Sequence, residues 1–211
     1  MNFQINQMKN LKETKNNPIY PEIKIGSQIW MSKNLNVDTF RNGDPIIQAK
    51  TFEELKLAAR DERAAYCYYG NLKTRGELFG KLYNWHAVND PRGLAPQGWH
   101  IPTVEEWEKL IDFLGGENDA SSKLKAKDWW KMDDSANNKS LFNAMPSGYR
   151  YDDGDFDRIN YQANFWTPEL TVRSNGASAY TFLLESDNFE KAVKKDSAGR
   201  NFFMSVRCIK D

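Results

Sequence analysis

The sequence predicts an α+β fold, and three observations carry that expectation. Two stretches show a capping box followed by apolar residues at helical spacing, Thr51 with Glu54 and Thr103 with Glu106. From Phe142 onward, short apolar runs are separated by Asp-, Asn- and Gly-rich turns, which is the pattern of short strands. The helical segments precede most of the strand segments instead of alternating with them, which argues against a parallel βαβ sheet. The expected architecture therefore has helices in the first half and a twisted, mostly antiparallel set of short strands in the second.

The elements follow in order. Residues 1–21 read as a flexible leader, and 22–211 as one domain, since no repeat or low-complexity segment divides them. Glu22 to Ile25 and Gln28 to Met31 flank Gly26-Ser27 as a hairpin. Thr51 starts a helix running to about Arg63, with Phe52, Leu55 and Ala59 expected on its buried side. Tyr66 to Gly70 is an aromatic burst ending in a turn, and Phe79 to Val88 is apolar but too short to assign. Pro96 to Trp107 is the best-marked stretch. Pro102 disfavours helix before Thr103, the Thr103–Glu106 box starts one, and Val104, Trp107, Leu110, Ile111 and Leu114 share a face until Gly115-Gly116. A shorter helix is expected over Ala120 to Lys127. Then come a hairpin with its turn at Asp152 to Asp155 and strands at Phe165 to Thr167, Ala179 to Leu184, Lys191 to Lys194 and Phe202 to Ile209, with a turn at Asp196 to Gly199.

Composition excludes several function classes. The 29 basic side chains balance 29 acidic ones and no segment is strongly basic, so the electrostatic footprint of a nucleic-acid binder is missing. No run of about 18 apolar residues marks a transmembrane helix. Met1 to Asn17 is polar and lacks the apolar core of a signal peptide. Cys67 and Cys208 make neither a disulfide framework nor a zinc site; buried thiols are the preferred reading and a pairing between them the alternative.

Each candidate site has a plain structural role as its alternative. His100 lies between Trp99 and Ile101, near Glu105 and Glu106, and reads as a hydrogen-bonded structural residue; Trp99, Thr103, Glu106, Trp107 and Cys208 also read as structural. His86 beside Trp85 is the more open histidine. With two histidines and no zinc-type spacing, a histidine metal site is not expected. Asp152, Asp153, Asp155 and Asp157 around Gly154 form a weak Ca²⁺ candidate that fails the EF-hand pattern, and a solvated hairpin tip is the default. Tyr149, Arg150, Tyr151, Tyr161 and Trp166, with those aspartates, suit a sugar or peptide that stacks on rings and bonds to polar groups; for Trp166 and Tyr149 the alternative is the core. Connections around Arg173 to Ala177 and Asp187-Asn188 would form the rim of such a site.

Several motifs together resemble one family. These are Ile25-Gly26-Ser27-Gln28-Ile29-Trp30-Met31 with Asn34-Leu35-Asn36, Gly80-Lys81-Leu82-Tyr83-Asn84-Trp85, Pro96 to Thr103 with Glu106-Trp107, Leu124-Lys125 with Trp129, Pro146 to Arg150, Phe165-Trp166-Thr167, and Ser205 to Asp211. In this order they resemble the Fibrobacter succinogenes major paralogous domain, widespread in Bacteroidetes. The resemblance implies a C-type-lectin-like fold whose final strand closes near the first hairpin. It also implies a secreted or lipoprotein setting, and no assigned biochemical role. Two departures stand out: Ala95 replaces a Cys frequent in the family, which removes a bridge to Cys208, and His86 stands where Tyr is usual. With no signal sequence, this leaves a cytoplasmic location open. The formylglycine-generating enzyme shares the fold class and has an Arg-Cys motif like Arg207-Cys208. Its partner Cys upstream is replaced here by Phe202, Phe203 and Met204. The expected function is a non-catalytic module binding a carbohydrate, peptide or protein surface through loops of the C-terminal half. An enzyme of that fold class and a structural or assembly domain are the alternatives.

Overall fold

A computed structural model describes residues 20–173, 176–186 and 192–211. In chain order, β1 (Glu22–Ile25) and β2 (Gln28–Met31) form the expected hairpin, turned by Gly26 at φ 60°. Then come β3 (Ile47–Gln48), α1 (Phe52–Arg60), β4 (Ala65–Cys67), α2 (Lys73–Phe79), β5 (Leu82–Tyr83), α3 (Trp85–Val88), β6 (Trp99–His100), α4 (Val104–Phe113) and α5 (Glu117–Leu124). The second part holds β7 (Ser147–Arg150), β8 (Phe156–Ile159), β9 (Gln162–Arg173), β10 (Gly176–Glu185), β11 (Val193–Gly199) and β12 (Ile209–Lys210). Of the leader, Tyr20 and Pro21 are described; the Tyr20 hydroxyl accepts from the Asn36 N–H and the Pro21 carbonyl from the Ser32 N–H.

The fold is α+β, with three sheets in the orders β1-β2-β12-β6, β11-β10-β9-β7-β8 and β3-β4-β5. Pairing is antiparallel except for β3 with β4 and β7 with β9. The expected segregation needs correction: the described helices run from residue 52 to residue 124, past the midpoint, and β1 to β6 are interspersed with them. The last strand closes on the first hairpin, with Ile209 opposite both Trp30 and His100.

Both capping boxes form as their local chemistry dictates. Thr51 accepts from the Glu54 N–H and Glu54 reaches back to the Thr51 N–H at 2.9 Å; Thr103 and Glu106 repeat the arrangement. On α1 the buried face is Leu55 and Ala58, while Phe52 is exposed and Ala59 half-buried, because only about one position per turn meets the core. The shorter helix begins three residues before Ala120 and stops at Leu124. The expected turn at Asp196 to Gly199 is instead the end of β11, paired along β10 from Val193 to Gly199. Most of Phe202 to Ile209 runs as isolated bridges and irregular chain, not as one strand.

Two aromatic cores hold the layers. α4 packs Trp107 against the five-stranded sheet, stacked on Phe182 at 5.1 Å and close to Phe165, Phe142 and Trp30. The other core gathers Tyr83, Trp85, Trp99, Trp166, Val206 and Cys208. Burying several such rings stabilises by on the order of 2 kcal/mol each before entropy is counted. Cys67 and Cys208 are free and buried. Burial pushes both thiols up to about 12.

Candidate functional site

A groove of about 450 Å³ opens between the five-stranded sheet and the chain segment 199–204. Strand alternation builds its floor. On β9, Ala163 and Phe165 point into the aromatic core, so Gln162 and Asn164 present their amides to the other face. Leu183 and Ser178 of β10 and Asp196 and Ser197 of β11 continue the surface. The opposite wall is held in place by backbone pairing: the Trp85 N–H donates to the Arg200 carbonyl, Phe203 exchanges bonds with Arg150, and Met204 with Tyr83.

The groove is polar, with an aromatic rim. The Tyr149 and Tyr151 hydroxyls are 2.8 Å apart, their rings meet edge-on, and Tyr151 meets Phe202 the same way. Burial, and then the bond to Tyr151, raises the Tyr149 pKa above its ordinary value. Arg173 is tied to Asp196 and Ser197, and Arg200 to Glu62 at 2.7 Å. His86 is behind the wall, with Nε2 3.1 Å from Asn201 Oδ1. Burial holds its pKa below the usual value against that hydrogen bond, and the Arg200 charge adds to the lowering. Gln162 donates to Glu185 at 2.6 Å. Asn164 is different: its residue is buried and its side-chain N–H donors have no partner.

The structure brings together only some of the residues expected from the sequence. Tyr149 and Asp152 line the groove, and Tyr151 backs its rim. Trp166 and Trp85 are core residues whose indole N–H groups donate to the Tyr83 and Thr167 carbonyls. Arg150 is buried too, donating to the Ala49 and Gly154 carbonyls and lying over the Phe156 ring. Tyr161 faces a separate cleft with Tyr69, Lys131 and Asp157. The Ca²⁺ candidate therefore comes apart: Asp152 faces the groove, Asp157 the other cleft, and Asp153 caps the Asp155 N–H within the turn. Among the described residues, no three His, Cys, Asp or Glu side chains form a group that can hold a metal ion. Part of the expected rim, residues 174–175 and 187–188, lies outside the described residues.

His100 bridges Glu106, at 2.9 Å, and Asp211, at 2.8 Å, joining the start of α4 to the last residue. Arg173 and Ala177, expected at the rim, line the groove, whereas Gln162, Asn164, Asp196 and Asn201 are site residues that the sequence reading does not name. The signal for Gln162 and Asn164 was present in Gln162-Ala163-Asn164-Phe165, where polar and apolar residues alternate.

Among the described residues, no helix is long and apolar enough to cross a membrane. No curated protein and no solved structure matches the chain. The Fibrobacter succinogenes major domain family model matches residues 23–210, and with that span the chain belongs to this family.

Proposed function

We propose that the chain is a non-catalytic binding module, C-type-lectin-like in its arrangement, that takes its ligand in the groove between the five-stranded sheet and the 199–204 segment. The return of β12 to the first hairpin supports the lectin-like reading. One observation carries the functional one: the unpartnered amide donors of buried Asn164, on a groove floor that is mostly polar. A buried donor without an acceptor costs stability, and a ligand supplying the acceptor gives that cost a purpose. The enzyme alternative rests on His86 or Cys208: the His86 Nε2 is engaged with Asn201 Oδ1 behind the wall, and the buried Cys208 thiol is held far from the thiolate that nucleophilic chemistry needs.

The test is a glycan array and a peptide array, followed by backbone-amide NMR mapping of any hit. Shifts are expected to concentrate at Tyr149, Asn164 and Asn201. Blank arrays at high protein concentration would overturn the reading in favour of a structural domain. Shifts clustered at the Tyr161 cleft would overturn it as well.

A further inference from the structure

The chemistry of the groove narrows the ligand class. We infer that its occupant is a short, uncharged saccharide; this rests on the groove being the binding site. Three features converge on it.

The first is charge. The groove is lined by two arginines and two aspartates, Arg173, Arg200, Asp152 and Asp196. Arg173 already answers Asp196, and Arg200 answers Glu62 outside the groove. An acidic ligand would have to compete with these carboxylates for each guanidinium. An uncharged one disturbs neither pair.

The second is the backbone. An extended peptide gains affinity by pairing its main chain with a free sheet edge. Most of the floor is interior sheet: β10 is paired on both sides, by β9 and β11, and β9 pairs with β10 and, at Ala163, with β7; β11 is the edge strand, and it gives the floor the side chains of Asp196 and Ser197. The floor therefore offers side chains. A ligand that bonds mainly through side-chain amides and carboxylates is one covered in hydroxyls.

The third is the mix of groups. Asn164 sets unsatisfied N–H donors just beneath a surface where Tyr149 and Phe202 supply ring faces and edges. Hydroxyls accept from amides and donate to carboxylates, while the C–H face of a sugar ring packs against aromatic carbon. The volume of about 450 Å³ falls within the range of small-molecule sites.

Isothermal titration of the full chain distinguishes the classes. The probes are cello-, manno-, xylo- and maltohexaose, trigalacturonate, and a pool of uncharged capped hexapeptides. At least one neutral hexasaccharide is expected to bind, and to bind at least tenfold more weakly to Asn164→Leu. That variant should fold normally, because the N–H donors it removes have no partner in the protein; its unfolding midpoint is measured alongside. Silence from the whole neutral panel overturns the saccharide assignment. If trigalacturonate or the peptides then bind and Asn164→Leu abolishes that binding, the groove reading survives alone. Saccharide binding that Asn164→Leu leaves unchanged overturns both.

Discussion

His100 shows how a residue that looks catalytic can be structural. Its two ring nitrogens reach Glu106 and Asp211. Burial lowers its pKa, but the bonds to the two carboxylates outweigh burial and the folded-state value is raised. The protonated ring thus favours the folded state. That contribution is full below about pH 6.5, the unfolded-state value, and fades as pH climbs through the raised folded-state pKa. The stability difference between wild type and His100→Gln, from urea unfolding, is expected to shrink as pH rises above about 6.5 and through the raised folded-state pKa. A flat difference would show that the two ion pairs contribute nothing. His86 titrates in both proteins and cancels. At this scale the sequence was a partial guide. Tyr149 and Asp152 reach the groove, but Trp166, Trp85 and Arg150 are spent on the core. An aromatic or an arginine looks the same in sequence whether it meets a ligand or a carbonyl. Only the fold decides which, as with Arg150 and the carbonyl of Ala49.

The elements divide by how local their causes are. Both capped helices were legible because their start signals are complete within four residues. Thr103→Ala and Thr51→Ala are each expected to lower the unfolding free energy by about 1 kcal/mol. An unchanged urea midpoint for either would mean that water replaces the cap without loss. The strands were less legible. β9 and β10 extend well beyond the apolar segments that mark them, because their outer residues, such as Arg173 and Gly176, are exposed and carry no apolar side chain. β11 ends in Asp196-Ser197-Ala198-Gly199, which reads as a turn in isolation. It becomes an edge strand because β10 offers a ladder and Arg173, from β9, meets the Asp196 carboxylate. Neither partner is near it in sequence.

Across the whole molecule, Arg207 joins distant parts. It is almost fully buried, and burial pulls its pKa down to about 9. Its guanidinium donates to the Met31, Phe142 and Asn143 carbonyls and to Asn34 Oδ1, and lies 4.3 Å from the Phe142 ring centroid. The first hairpin, the Asn34 loop, the 142–143 segment and the last strand are thus held by one fork. Arg207→Lys keeps a charge but loses the planar geometry and leaves acceptors unpaired. It is expected to destabilise by about 3 kcal/mol in urea unfolding. A loss under about 1 kcal/mol would show that a lysine and water can replace the fork. The match of Arg207-Cys208 to the family's closing motif made this region recognisable. The reason for it, four segments meeting at one side chain, is visible only in three dimensions.

The place of β12 also sets a clock on synthesis. It lies between β2 and β6, two strands made long before it. A nascent chain can form its first hairpin early. Yet the Met31 N–H waits for the Cys208 carbonyl and the Leu35 N–H for that of Val206. Until those residues leave the ribosome, β2 shows an open edge that another unfinished chain can pair with. The wall at 199–204 emerges just before them, so the groove is complete only when the sheet is about to close. Closure of the sheet and completion of the groove therefore come together, after β1 to β11 have been made.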